Sequence, residues 1–240
     1  MRVNFLGVAK IDNEYRLSLY IQTLSSLLKN TDSNDIGSII IIDDCSELTL
    51  PPFKGVTVIR NDQIRGVGYS KNLAYEEQLK LDNDPDYLYF FDTDVFFTKN
   101  WLDKLVHCYN CVSERFKILG GGCHPFLLPR EGESESVEYF DKFLNTFLIN
   151  STDALSGWSW LMYPEIFKEY GKLADNSVGV GKSEDWEYCQ RIRNKGFKVG
   201  YIDPQIIGHC GLTDSEGKQI VGYNESLDLL RRVVNEEVIF

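Results

Sequence analysis

The sequence predicts an α/β fold, a mixed and mostly parallel sheet flanked by helices in a single domain. Three observations carry this expectation. Short strand-like and helix-like segments alternate through the first half, as in parallel strands joined by helical crossovers. Ile39 to Ile42 is an unbroken β-branched run, the composition of a strand covered on both faces. The chain has 240 residues, 43% of them hydrophobic, enough for one large core.

The elements follow in order. Val3 to Val8 reads as the first strand. Tyr15 to Lys29 carries apolar residues at Leu17, Tyr20, Ile21, Leu24, Leu27 and Leu28, the spacing of a helix with one buried face. "SIIIIDD" gives the second strand and "VTVI" (Val56 to Ile59) the third. A turn at Gly66-Val67-Gly68 opens the helix "GYSKNLAYEEQLK". "YLYFF" is the fourth strand, and "NWLDKLVHCYNCV" another helix. The second half is less regular. "GGGCHPFLLP" suggests a strand and loop, and "EGESES" (Glu131 to Ser136) a polar loop suited to covering a site. "VEYFDKFLNTFLIN" places Phe140, Phe143, Leu144, Phe147 and Leu148 on one helical face. "GWSWLMYP" reads as a strand running into Pro164, a residue that starts helices. "EDWEYCQRIRNKG" has acids at its start, basic residues late and Gly196 as its stop, the charge order of a helix. "FKVGYIDP" is a late strand, and Asn224 to Val233 an amphipathic helix. No repeat or linker interrupts the chain. We divide it into a first half (1–98), a second half (99–212) and a tail helix (213–240).

The formal net charge of −11 argues against a nucleic-acid or anionic-membrane surface as main partner. No apolar run approaches the roughly 20 residues of a membrane span. The start, "MRVNFLGVAKIDNEYR", lacks the features of a secretory signal, so a soluble, cytoplasmic protein is expected. Its six cysteines are then free thiols. His107, Cys108, Cys111, Cys123 and His124 superficially resemble zinc ligands, but an i, i+3 cysteine pair on a helix is more often packing.

Two acidic features, Asp43-Asp44 and Asp92-Thr93-Asp94, fall at the carboxyl ends of predicted parallel strands, where ligands of such sheets gather. Asp92 to Asp94 stands between the greasy runs "YLYFF" and "VFF", and a buried carboxylate is costly unless paired or bound to metal. In an extended segment Asp92 and Asp94 project together while Thr93 faces elsewhere. Two hard oxygen donors suit Mg²⁺ or Mn²⁺ with a diphosphate completing the shell. Taken alone, an Asp-x-Asp triplet reads as a turn after a strand; its place behind an apolar strand, with other acids at a corresponding strand end, is what points to a ligand.

The ordered set "IIDDCS", "RNDQIRGVGYSKN", "YFFDTDVFF", "GWSWLMYP", "KSEDWEYCQRIRNKGFKVGYID" and "GHCG" resembles a family 2-type glycosyltransferase of the GT-A fold, over roughly residues 3 to 212. The resemblance implies a nucleotide-sugar enzyme, with 1–98 as its nucleotide-binding half and 99–212 as its acceptor half, and a role for each matching residue. Asp44, or Asp43, accepts a hydrogen bond from the base of a UDP-sugar. Lys71, where the family more often has arginine, supplies positive charge near the nucleotide without a bidentate fork. Asp92 lies near the ribose or the metal, Asp94 ligates the metal, and His209 is a further ligand. Asp185 is the base that deprotonates the acceptor hydroxyl, and Glu184 orients the acceptor. Trp158 and Trp160 alternate along one strand, so they share a face on which a sugar can stack.

Departures from the family pattern shape the expectation. The first strand ends in "GVAKIDNEYR" instead of the usual Pro-Thr-Tyr-Asn-like segment, and no processive-polymerase motif follows the base motif. The expected activity is therefore metal-dependent, inverting transfer of one sugar from a UDP-sugar to a hydroxyl of a glycan or similar acceptor. A catalytically silent nucleotide- or carbohydrate-binding protein and a sugar nucleotidyltransferase are the alternatives. The latter lacks its basic, glycine-rich N-terminal loop here.

Overall fold

The computed structural model describes residues 1–122, 136–141, 145–174, 184–203 and 205–209, with 136–141 and 145–146 as backbone. Its centre is β1 (Val3–Ala9), all seven residues of which are buried. A strand with both faces covered belongs in the middle of a sheet, and β1 pairs in parallel with β2 (Ile36–Asp43) on one side and β4 (Tyr87–Asp92) on the other. β3 (Val56–Arg60) extends the parallel half beyond β2. The connections are helical, as parallel pairing demands. They include α1 (Glu14–Asn30), capped by Asn13, whose side chain accepts from the Arg16 amide at 2.9 Å, and α2 (Val67–Gln78).

After β4 come a short strand β5 (Val95–Phe97), α3 (Trp101–Val112) and β6 (Phe116–Gly120). Then follow β7 (Ser136–Asp141), β8 (Asn145–Thr152), β9 (Ser159–Met162), α4 (Pro164–Tyr170), α5 (Glu184–Asn194), β10 (Lys198–Asp203) and β11 (Ile207–His209). Among the described residues the main sheet has nine strands in the order β3-β2-β1-β4-β9-β6-β10-β8-β7. β9 runs antiparallel between β4 and β6, so the sheet is mixed, as the sequence predicts. Both proposed halves of the chain contribute strands to it.

Alternation along the strands splits the core into two layers. Phe5, Tyr89 and Phe91 pack with Tyr20, Leu24 and Trp101 beneath α1 and α3. Leu6, Phe90 and Ile42 pack with Trp160, Phe167 and Tyr188 beneath α2, α4 and α5. Trp101 is wholly buried between Tyr89 and Phe97, and its indole N–H donates to Thr31 Oγ1 at 3.1 Å. Each such large side chain contributes about 2 to 3 kcal/mol through removal of apolar surface from water.

Two expectations are corrected. Residues 137–141 and 145–150 are not helical; β7 and β8 make an antiparallel pair there, with Val137 opposite Ile149 and Tyr139 opposite Phe147. The stretch is rich in aromatic and β-branched residues, which suit a pleated surface. Buried Phe147 and Ile149 fit a period of two, and β8 docks on the edge of β10. The second correction is "VFF", which had no assigned element. It is β5, and it pairs with β11 in a separate two-stranded sheet.

The expected tail helix and most of the "EGESES" loop lie outside the described residues, as do Cys123, His124 and Cys210. Cys45, Cys108, Cys111 and Cys189 form no disulfide; Cys108 is buried and Cys111 exposed, so that helical pair does not converge on a zinc ion. Among the described residues no helix is long and apolar enough to cross a membrane.

Candidate active site

The carboxyl ends of β1, β2 and β4 meet at one rim of the sheet. Asp92 closes β4, and Thr93-Asp94 turns the chain into β5. The Thr93 hydroxyl donates to the Val8 carbonyl at 3.1 Å, and the Thr23 hydroxyl to the Val95 carbonyl at 2.8 Å, so the turn is pinned from two sides. Thr93 thus points inward, away from the two carboxylates that flank it.

Pairing of β11 with β5 sets His209 opposite Val95, one residue beyond Asp94. His209 Nε2 lies 3.2 Å from Asp94 Oδ1, their side chains 14% and 30% exposed. Asp92, Asp94 and His209 each offer a ligand atom, all within 4.8 Å of one another. Burial pushes the Asp94 carboxyl up, but the charge of His209, its hydrogen bond and the more distant Arg16 outweigh this and hold it below the usual carboxylate value. Burial lowers His209, and the opposing pull of Asp94 and Asp92 raises it above the ordinary imidazole value. Asp92 Oδ1 faces the Lys71 ammonium and Asp94 Oδ1 the His209 imidazole, and among the described residues neither buried oxygen has a further hydrogen-bond partner. Two hard oxygens and an imidazole so arranged fit Mn²⁺ or Mg²⁺.

Lys71 is neither solvated nor directed into open space. It is 1% exposed, beneath Asp92, with Nζ 3.2 Å from Asp92 Oδ1. The same ammonium donates to the Gly157 carbonyl at 2.6 Å and lies 5.7 Å from the Trp160 ring. The expected positive charge is present, and it reaches the rim through Asp92. Asp185, in the first turn of α5, comes to the same place: its Oδ2 accepts from the Gly157 amide at 3.1 Å and its Oδ1 from the Trp186 amide at 2.7 Å. Glu184 is buried at the start of that helix.

Asp43 and Asp44 are both buried and both engaged. Asp43 accepts from the Ser46 amide at 2.9 Å and pairs with Arg60 at 2.7 Å. Asp44 Oδ1 accepts from Asn61 Nδ2 at 2.8 Å and from the Arg65 amide at 2.7 Å, while Oδ2 accepts from the Gly66 amide at 2.9 Å. Gly66 has φ +88°, which a side chain would strain, so Asp44 fastens a special turn at the entry to α2. Asp44→Asn keeps one acceptor oxygen but turns an amide N–H₂ toward an amide N–H. We expect a loss of about 2 kcal/mol, read as a lower urea midpoint at unchanged m-value.

Trp158 and Trp160 do not share a face. Trp158 packs in the layer of α1 and α3, Trp160 in the layer of α2, α4 and α5. The chain turns at 157–158 and becomes a strand only at Ser159, so alternation does not extend back to Trp158. With exposures of 2% and 0%, both rings fill core, and neither offers a sugar a free face.

Sequence reading marked the segment after β1 as a departure from the family pattern but gave its residues no role in the site. Lys10, Tyr15 and Arg16 line a cleft together with Asp92, Thr93 and Asp94. Lys10 is held by the Cys45 carbonyl at 2.6 Å, and Arg16 donates to the Lys10 carbonyl at 3.2 Å. The only available signal was two cations and an aromatic residue shortly after the first strand, a weak pattern on its own.

Residues 13–109 match the family model "Glycosyl transferase family 2". No curated protein matches the sequence. Solved structures share the fold. GalNAc-T7 with UDP, GalNAc and Mn²⁺ is 18% identical, with a TM-score of 0.64 over 91% of this chain and 45% of that one. The mannosyltransferase PcManGT from Pyrobaculum calidifontis, in complex with GDP-Man and Mn²⁺, is 12% identical, with a TM-score of 0.64 over 97% of this chain and 61% of that one. S. aureus TarS 1–349 is 14% identical, with a TM-score of 0.54 over 86% of this chain and 59% of that one. This chain therefore spans about half to three-fifths of the length of these structures.

Proposed function

We propose that this chain, a GT-A fold whose nucleotide half resembles family 2 glycosyltransferases, is a metal-dependent, inverting glycosyltransferase of the hexosyl type. It moves one sugar from a nucleoside-diphosphate sugar, with UDP the expected nucleotide, to a hydroxyl of a glycan or glycoconjugate. The observation that carries this reading is the convergence of Asp92, Asp94 and His209 at the rim of the parallel strands, beside a cleft lined by Lys10 and Arg16.

Mn²⁺ or Mg²⁺, when bound, offsets negative charge that builds on a departing diphosphate. Asp94 and Asp92 supply its oxygen ligands and His209 its nitrogen ligand. Lys10 and Arg16 add positive charge for the same diphosphate. Asp44 acts on the nucleotide through the 61–66 turn that it fastens. Asp185 takes the acceptor hydroxyl's proton while the acceptor oxygen bonds to the anomeric carbon. The bond from that carbon to the diphosphate oxygen breaks, and its electron pair leaves with the diphosphate. Attack opposite the leaving group inverts the configuration, and Glu184 supports the acceptor side.

The test is nucleotide release and product analysis with the full chain, Mn²⁺, a panel of UDP- and GDP-sugars, and glycan acceptors. Mn²⁺-dependent release with an inverted anomeric linkage is expected. Tight metal-dependent nucleotide binding without turnover would make the chain a silent binder. Pyrophosphate-dependent chemistry would make it a nucleotidyltransferase.

A further inference from the structure

Gly157 and Trp158, the two residues before β9, contact four residues of the candidate site: Lys71, Asp92, Asp185 and His209. The Gly157 carbonyl accepts the Lys71 ammonium at 2.6 Å, and the Gly157 amide donates to Asp185 at 3.1 Å. The Trp158 carbonyl accepts the backbone amide of Asp92 at 3.3 Å. The Trp158 ring stacks on His209, with centroids 5.1 Å apart and 28° between planes. Two consecutive residues thus hold Asp92 by its main chain, Lys71 by its charge, His209 by its ring and Asp185 by its carboxylate.

We propose that Gly157 and Trp158 are positioning residues that fix the metal group against the acceptor-side carboxylate. The proposal rests on the reading of Asp92, Asp94 and His209 as a metal group and of Asp185 as the base. The residue types fit this role. A Cβ on Gly157 would lie 2.6 Å from Lys71 Nζ and 3.5 Å from Asp185 Cβ, so no side chain is accommodated without displacing the ammonium. A stacked indole fixes the plane of an imidazole without occupying its in-plane nitrogens, and His209 Nε2 accordingly faces Asp94 at 3.2 Å. Trp158 is 2% exposed, so this face of His209 is covered by a rigid ring rather than by water. Because one dipeptide serves both groups, displacing it shifts the metal ligands and the base relative to each other.

The test uses the full chain and Mn²⁺ alone, with binding read by electron paramagnetic resonance and folding checked by circular dichroism. Trp158→Leu is expected to weaken Mn²⁺ binding at least about tenfold, the effect typical of lost support to a metal ligand, while Trp158→Phe, which keeps a stacked ring, stays within about threefold of wild type. Gly157→Ala is expected to lower kcat for transfer by about a hundredfold, with donor KM moving less than about threefold. Combining it with Lys71→Met, whose shorter side chain vacates the position of the ammonium, should make the added cost of Gly157→Ala smaller. If wild type binds Mn²⁺ and a folded Trp158→Leu binds it equally well, or a folded Gly157→Ala turns over like wild type, the positioning role is overturned while the metal reading stands. If wild type binds no Mn²⁺, the metal reading fails and the proposal with it. Should Gly157→Ala not fold, the two Trp158 variants decide.

Discussion

Asp94→Asn is expected to cut Mn²⁺-dependent transfer by roughly 10³-fold, the scale of losing a preorganised charge aimed at a leaving group. The reasoning is electrostatic. Asp94 is partly buried, its carboxyl is held below its ordinary value, and it faces His209 at 3.2 Å. It is therefore ionised at neutral pH, with a full negative charge to offer a metal ion. An amide has nearly the same shape but no charge, so the variant should fold, and its Mn²⁺ affinity should fall together with turnover. Metal titration beside a nucleotide-release assay checks both. A folded Asp94→Asn protein that binds Mn²⁺ and turns over like wild type would remove the metal from the reading altogether.

Asp185→Asn should act on a different quantity. General-base assistance is worth about 10² to 10⁴ in rate, so kcat should drop by that much while Mn²⁺ affinity and donor KM stay near wild type. An asparagine can keep one of the two backbone hydrogen bonds that Asp185 accepts, from Gly157 and Trp186, so some stability is lost as well. Measuring kcat on protein shown to be folded separates the two effects. Equal losses in Mn²⁺ affinity and kcat would point to a structural role for this carboxylate rather than to proton transfer.

Much of the site is legible locally. Asp92 and Asp94 follow a strand whose apolar residues are obvious, and their place at its carboxyl end follows from strand–helix alternation. That argument does not depend on the exact geometry. The two aspartates were expected to project together along an extended segment; in the structure they flank a turn pinned by Thr93, and they converge all the same. Asp185 was legible as an acid opening a helix. Its link to the metal side was not, because that link runs through main-chain atoms of Gly157, which carry no sequence signal.

Misreadings came where a local pattern admits two periods or a long-range contact decides. The aromatic residues of 137–150 satisfy helical spacing and strand alternation alike, and docking on β10 selects the strand. The tryptophan pair read as one face because alternation was extended through a turn. Lys71 read as a positive charge beside the nucleotide, since nothing near it in sequence announces the buried carboxylate and carbonyl that receive it.

Local pattern alone specifies the alternation of elements, the α/β class and the acids at the strand ends, because hydrophobic period, turn chemistry and strand propensity act over a few residues. That His209 stands beside Asp94, that Lys71 lies under Asp92, and that Trp158 and Trp160 occupy opposite layers follows from the assembled fold. Those placements come from strand pairing and burial between segments far apart in the chain, and such contacts are selected by the packing of the whole fold.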